Sequence, residues 1–230
     1  MFNKIIDGIK KMFKKPNKRF EGLIEGLPKE RQEKIEKRVE ELKQDLDGGV
    51  MRISKKGMIE LAGHEGICLN KYRDSVGVWT IGVGATRTEI PDIALWPQEK
   101  SITIQEAFDL MQKSIVKYEK GVRRALRVDV PQHTFDALVS WCYNVGTGWC
   151  KKASVIKLLN KGVHHSDRRV YNALMMYKKP KEIIPRRKKE AILLTTGVYS
   201  NEGKALLFPV SSRGKPIYSR GRSVVVSQYL

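Results

Sequence analysis

The chain has 230 residues, 41% of them hydrophobic, and 44 Lys and Arg against 25 Asp and Glu, a formal charge of +19. This composition supports one good core, or one core plus appendages; no apolar run approaches the ~20 residues of a membrane span, and the basic start lacks the continuous apolar stretch and cleavage site of a secretory signal. The positive excess favours anionic partners (nucleic acid, anionic membrane, or a carboxylate-rich polymer such as bacterial cell wall) without choosing among them.

The first residues, MFNKIIDGIKKMFKK, place Phe2, Ile5, Ile6, Ile9, Met12 and Phe13 at helical spacing, with most lysines elsewhere on the wheel. Such a helix suits a membrane surface or partner, or packing on its own protein. Pro16 breaks the pattern, and LPKERQEKIEKRVEELKQDL follows, with Ile35, Val39, Leu42 and Leu46 as a narrow apolar stripe fit for a two-helix contact or short coiled coil. Asp47-Gly48-Gly49 reads as a linker. The expected organisation is therefore a charged helical extension over 1–50, a globular domain over 51–197 and a basic C-terminal extension over 198–230. Residues 1–47 are the candidate contact for an anionic membrane or a virion protein.

Within the globular part, 55–65 reads as a helix and 68–84 as short strands with turns. Helices are expected over 103–126, 131–144, 151–161, 167–177 and 185–196. Thr103 and Glu106 have capping-box spacing, and Pro131 suits a helix start. From Val198 onward Gly, Ser, Arg and Pro alternate with short β-like pieces such as SVVVSQYL. Cys68, Cys142 and Cys150 are an odd number without metal spacing, so reduced thiols are expected, with a Cys142–Cys150 bridge as the alternative. His164 and His165 have no partners at ligand spacing, so no metal site is expected.

The stretch GHEGICLNKYRDSVGVWTIGVGAT carries two carboxylates in different settings. Glu65 falls on the helix face marked by Met58, Ile59 and Ala62. Apolar surroundings there would favour its protonated form, as a general acid needs. Asp74 sits in a turn with Ser75 and Gly77, where a solvated, hydrogen-bonded carboxylate stays ionised. The alternation around Trp79, Thr80 and Ile81 reads as a strand, and a hairpin bend would bring the Thr80 hydroxyl toward Asp74. A neutral acid, a charged acid and a hydroxyl together suit a glycosidase site; the competing reading is a surface Asp and a helix-terminal Glu with no joint role.

The same stretch resembles the phage-type lysozymes, the muramidase family that includes T-even phage lysozyme and many phage endolysins. The matching residues are Glu65-Gly66, then Tyr72-Arg73-Asp74, then Gly77-Val78-Trp79-Thr80-Ile81-Gly82-Val83-Gly84. FDALVSWCYNVGTGWCKKASVIKLLNKG resembles the family's central helix and following turn, and RRKKEAILLTTG its closing R-R-x-x-E helix. The resemblance implies an α+β, mainly α, lysozyme-like fold with a small β-rich lobe and a helical lobe. It implies Glu65 as the general acid, Asp74 as the group that holds the attacking water, Thr80 as an aid in placing it, and Asn144 as a sugar-binding residue. Many members have His where Ala85 stands here, a structural neighbour of the site.

The expected function is therefore a cofactor-free muramidase. It would cut the β-1,4 bond between N-acetylmuramic acid and N-acetylglucosamine in bacterial peptidoglycan, with inversion. The expected setting is a monomeric phage endolysin, made in the host cytoplasm and acting on the wall after release. The alternatives are a virion-associated lysozyme used at entry and a non-enzymatic basic protein acting on membrane or wall. A nucleic-acid binder rests on charge alone. His64 is expected at the surface, the run Arg186–Lys189 as mostly solvated with one arginine partly structural, and Trp79, Trp141 and Trp149 as core rather than sugar platforms.

Overall fold

The computed structural model describes residues 28–31 and 50–230. The amphipathic helix expected over 2–15, the linker at 47–49 and nearly all of the charged helix between them lie outside the described residues. The chain divides at Met51, and the unit Arg52–Leu230 carries everything that follows.

Helix α1 (Lys55–Glu65) starts where the Ser54 hydroxyl accepts the Gly57 N–H, a serine N-cap. Ser54 is itself fixed by the buried Asp136, which accepts its N–H at 2.9 Å and its hydroxyl at 2.5 Å. Strands β1 (Cys68–Arg73) and β2 (Trp79–Gly82) form an antiparallel pair with Tyr72 opposite Thr80. Three helical elements follow: α2 (Ile104–Ala125), a short 3-10 turn after it at Thr147–Lys152, and between these α3 (Gln132–Val145). The Thr103–Glu106 capping box is present in both directions, so two end donors of α2 are satisfied. On α2, Ala107, Phe108, Met111, Ile115 and Val122 form the buried stripe, at the spacing of one helix face.

Helix α3 is the centre of the core. Phe135, Leu138, Val139 and Trp141 are all buried along it, and α2 and α6 pack against it. Helices α4 (Ser154–Asn160) and α5 (Arg168–Leu174) are shorter than the pattern suggests. The extended backbone of Ala153 separates α4 from the 3-10 turn before it, so residues 151–153 do not join the helix. Helix α6 (Ile184–Thr196) closes the helical part, with a proline in its first turn where no N–H is needed. The Cys142 and Cys150 sulfurs are 2.8 Å apart, both thiols free and buried. The α+β, mainly helical class expected from the sequence is the observed one.

Residues 198–230 fold within this same unit rather than beyond it. Strands β3 (Lys204–Leu207) and β4 (Arg222–Val225) pair antiparallel, and Leu207 bridges to Ile67 in parallel. The buried carboxylate of Glu60 holds the start of the segment, accepting the N–H groups of Ser200 and Asn201 and the Ser200 hydroxyl. Tyr199 donates to Asp136 at 2.6 Å. Buried acids of α1 and α3 thus dock the segment, since a buried carboxylate must find donors. Its composition reads as a tail because the docking partners lie far away in sequence.

Candidate active site

Glu65 is the last residue of α1, and its side chain is 24% exposed. Gly66 then turns the chain with φ 73°, and a Cβ there would come within 2.5 Å of the Phe208 ring, so only glycine fits. The apolar surroundings expected for Glu65 are not observed. Its Oε1 instead accepts from Arg186 Nη1 at 2.6 Å, because α6 brings a buried guanidinium to the end of α1.

Asp74 follows β1 in a tight turn. Its Oδ1 accepts the N–H groups of Val76 at 3.0 Å and Val78 at 2.8 Å, and its own N–H donates to the Val78 carbonyl. This is an Asx-type turn, in which the carboxylate replaces a backbone acceptor. Thr80 is buried in β2, and its hydroxyl donates to that same Val78 carbonyl at 3.1 Å. Asp74 and Thr80 are therefore both anchored on Val78, and the structure brings them together through one residue.

Two tyrosines feel the charge of Glu65. Tyr72 lies opposite Thr80 in the ladder. Burial raises its phenol well above the ordinary range, and the nearby Glu65 charge adds to the shift. Tyr143 of α3 donates to the Val83 carbonyl at 2.7 Å; its phenol is raised mainly by burial, then by Glu65. Ala85, the departure from the family pattern, is buried and exchanges both backbone bonds with Ile81.

Against Glu65 lies a buried ionic cluster that the sequence reading missed. Arg186 donates from Nε to Glu190 at 2.9 Å, from Nη1 to Glu65 and from Nη2 to the Ser140 carbonyl at 3.1 Å. Arg187 donates to the other oxygen of Glu190, to the Tyr177 carbonyl and to Asn144 Oδ1 at 2.5 Å. Glu190 is fully buried and also accepts the Ser140 hydroxyl. Burial opposes the charge of Arg186, but Glu65 and Glu190 outweigh it and hold the guanidinium above the usual arginine range. For Arg187 burial wins and the shift is downward, though an arginine stays charged in either case. The expected solvated run is thus split: Arg186 and Arg187 are buried, while Lys188 and Lys189 are exposed. Asn144 is exposed as a residue, yet its amide oxygen must face Arg187, which can only donate.

His64 also departs from expectation. Its side chain is 3% exposed, 3.5 Å from Glu60 Oε1 without hydrogen-bond geometry, and its Nε2 has no hydrogen-bond partner. Burial, reinforced by Arg186, Lys189 and Arg187, lowers its pKa to about 3. The unfolded chain binds this proton at about 6.5, so between these values unfolding takes up a proton and stability falls as pH falls. Acid titration of the melting temperature should show a loss of up to about 1.4 kcal/mol per pH unit below 6.5 from this group. A His64→Gln protein should show a shallower slope over that window, and an unchanged slope would remove His64 as its source.

A groove of about 450 Å³ between α4 and α5, lined by Leu158, Lys161, Ala173 and Met176 among others, contains none of these groups. Of the tryptophans, Trp141 is buried in the core, Trp79 is half-buried under Lys71 and Arg73, and Trp149 is 53% exposed.

The sequence profile described as phage lysozyme matches residues 62–190. The chain belongs to the phage lysozyme family. The match takes in Glu65, Asp74, Thr80, Asn144 and the Arg186–Arg187–Glu190 cluster, and ends where the cluster ends. Among relatives, the endolysin of Salmonella phage P22 is 30% identical over 149 residues, covering 63% of this chain and 98% of the P22 protein. The endolysin of Bacillus phage PZA is 33% identical over 114 residues, 49% of this chain and 42% of that protein, so the chain spans less than half of that longer relative. The solved endolysin of Escherichia coli O157:H7 phage FAHEc1 superposes with a TM-score of 0.58 at 27% identity, covering 66% of this chain and 98% of that one. The phage lysozyme match stops before the docked 198–230 segment.

Proposed function

We propose that this protein is a peptidoglycan hydrolase that cuts the β-1,4 bond between N-acetylmuramic acid and N-acetylglucosamine and serves as a phage endolysin. The observation that carries the reading is the separate anchoring of two acids. Glu65 is held by Arg186 of α6, and Asp74 with Thr80 is held by Val78 of the turn between β1 and β2. Such a pair permits acid and base roles on opposite faces of a sugar ring.

In this reading Glu65 gives its proton to the glycosidic oxygen as the bond to the anomeric carbon breaks. Asp74 accepts a proton from a water while that water attacks the same carbon from the opposite face, and the anomeric configuration inverts. Both turn bonds of Asp74 end on Oδ1, so Oδ2 is the oxygen for the water, and the Thr80 hydroxyl oxygen can accept its second hydrogen. The Asn144 NH2 donates to a sugar substituent. The endolysin setting is supported by the endolysins of phages P22 and PZA among the relatives. A charge of +19 favours capture by an anionic wall, an attraction that salt weakens.

The direct test is digestion of purified peptidoglycan with identification of the new reducing ends. N-acetylmuramic reducing ends are expected; none at all would end the proposal. An Asp74→Asn protein should keep its turn, since an amide oxygen accepts the same two N–H groups. It should lose on the order of 10²-fold or more in rate, because it cannot take the proton from water. A rate within fivefold of the parent would remove Asp74 from the chemistry.

A further inference from the structure

The segment beyond the matched region touches the chain next to each acid. The Ile67 N–H donates to the Leu206 carbonyl and the Phe208 N–H to the Ile67 carbonyl, both at 2.8 Å, just after Glu65-Gly66. A hairpin then runs over 209–217, closed by the Ile217 N–H on the Pro209 carbonyl and a bridge between Val210 and Pro216. At its tip the Gly214 carbonyl accepts the N–H of Arg73, the residue before Asp74, and Gly214 lies against the Trp79 ring. The segment thus spans the site from the exit of one acid to the entry of the other.

Between these contacts stands an aromatic pair. Phe208 is wedged between Gly66 and Gly221; a Cβ on either would come within 2.5 Å of its ring. The Tyr218 ring packs edge-on against Phe208, centroids 5.2 Å apart and planes at 72°. Yet Tyr218 is 71% exposed, so the ring packed against Phe208 stays open to solvent. We propose that Tyr218 is a sugar-stacking platform, an added glycan-binding subsite that the C-terminal segment supplies beside Glu65. The inference rests on the glycan-hydrolase reading above.

The chemistry follows from the ring's position. A pyranose presents a face of C–H groups, and an aromatic held at one orientation receives it at little entropic cost. The phenol tip remains free to bond a hydroxyl. Tyr218 also lies close enough to Tyr72 to contribute to that residue's raised phenol, alongside Glu65. Through Gly66 and Phe208, the Tyr218 ring is packed next to the chain that leaves Glu65. The competing role is that the ring merely covers Phe208.

The test is sedimentation with purified insoluble peptidoglycan at 0.5 M salt, where charge attraction is screened. Each protein carries Glu65→Gln so that the wall is not consumed. Tyr218→Ala should bind about tenfold more weakly and Tyr218→Phe within about threefold of the parent. Tyr218→Leu keeps an apolar cover on Phe208, so a merely structural ring would tolerate it; a stacking platform predicts the same loss as for alanine. With Glu65 restored, the loss should fall on KM more than on kcat. Binding of the leucine and alanine proteins within twofold of the parent would overturn the proposal. If the parent releases no reducing ends but Tyr218→Ala still loses binding, the hydrolase reading fails and the subsite stands.

Discussion

A Glu65→Gln protein should release reducing ends from peptidoglycan about 10³-fold more slowly than the parent, within the range by which a positioned general acid accelerates such a step. The amide cannot give a proton to a leaving oxygen. Its oxygen can still accept from Arg186 Nη1, which also keeps the position of the side chain at the end of α1. Because Arg186 retains Glu190 and the Ser140 carbonyl, the fold should lose only about 1 kcal/mol, the difference between a charged and a neutral acceptor. Rate and stability are thus expected to separate, which makes the variant diagnostic. Melting temperature and initial rate measured on one preparation decide it: a rate within tenfold of the parent, with the fold intact, would remove Glu65 as the acid. A large fall in both would mean that the carboxylate is chiefly a counterion for Arg186.

What could be read from the sequence follows how local each feature is. Helix α2 announces itself by a single buried face and a capping box, both contained within its own residues. The Asp74 turn and Thr80 are equally local, since β1 and β2 pair across a few residues and Val78 joins the two groups. The surroundings of Glu65 were not readable that way. Arg186 lies 121 positions away, and a basic run looks the same whether it meets water or a buried carboxylate. One signal was available: Glu190 stands three and four residues after the two arginines, the spacing at which helix side chains meet. The burial of His64 is not local either: distant parts of the chain cover it, and the cations of α6 add to the effect of that burial. In the C-terminal segment the composition suggests a tail, but Lys204–Leu207 alternates exposed and buried, the period of a strand on a core. That run is too short to distinguish from chance without the docking sites on Glu60, Asp136 and Ile67.

Breaking the cluster that escaped the sequence should be strongly destabilising. Glu190 balances two buried guanidiniums, receiving Arg186, Arg187 and Ser140. Glu190→Ala removes the shared counterion and leaves two cations away from water, with only Glu65 as a charged partner. Breaking a buried ionic group in this way costs about 3–5 kcal/mol, far more than the intact group adds over an apolar replacement. For a unit of this size that corresponds to a fall of about 6–20 °C in Tm. Since Arg186 also holds Glu65 and Arg187 holds Asn144, the folded fraction well below the melting temperature should turn over more slowly and bind glycan less tightly. A double variant in which Arg187 is also replaced by Met should recover part of the lost stability, because one stranded charge is gone, while Asn144 stays unanchored and binding stays weak. Thermal denaturation together with sedimentation on insoluble peptidoglycan, run on the single and double variants, separates these effects. A Glu190→Ala protein melting within 2 °C of the parent would show that solvent or Glu65 compensates the arginines and that Glu190 is not the counterion that holds the cluster.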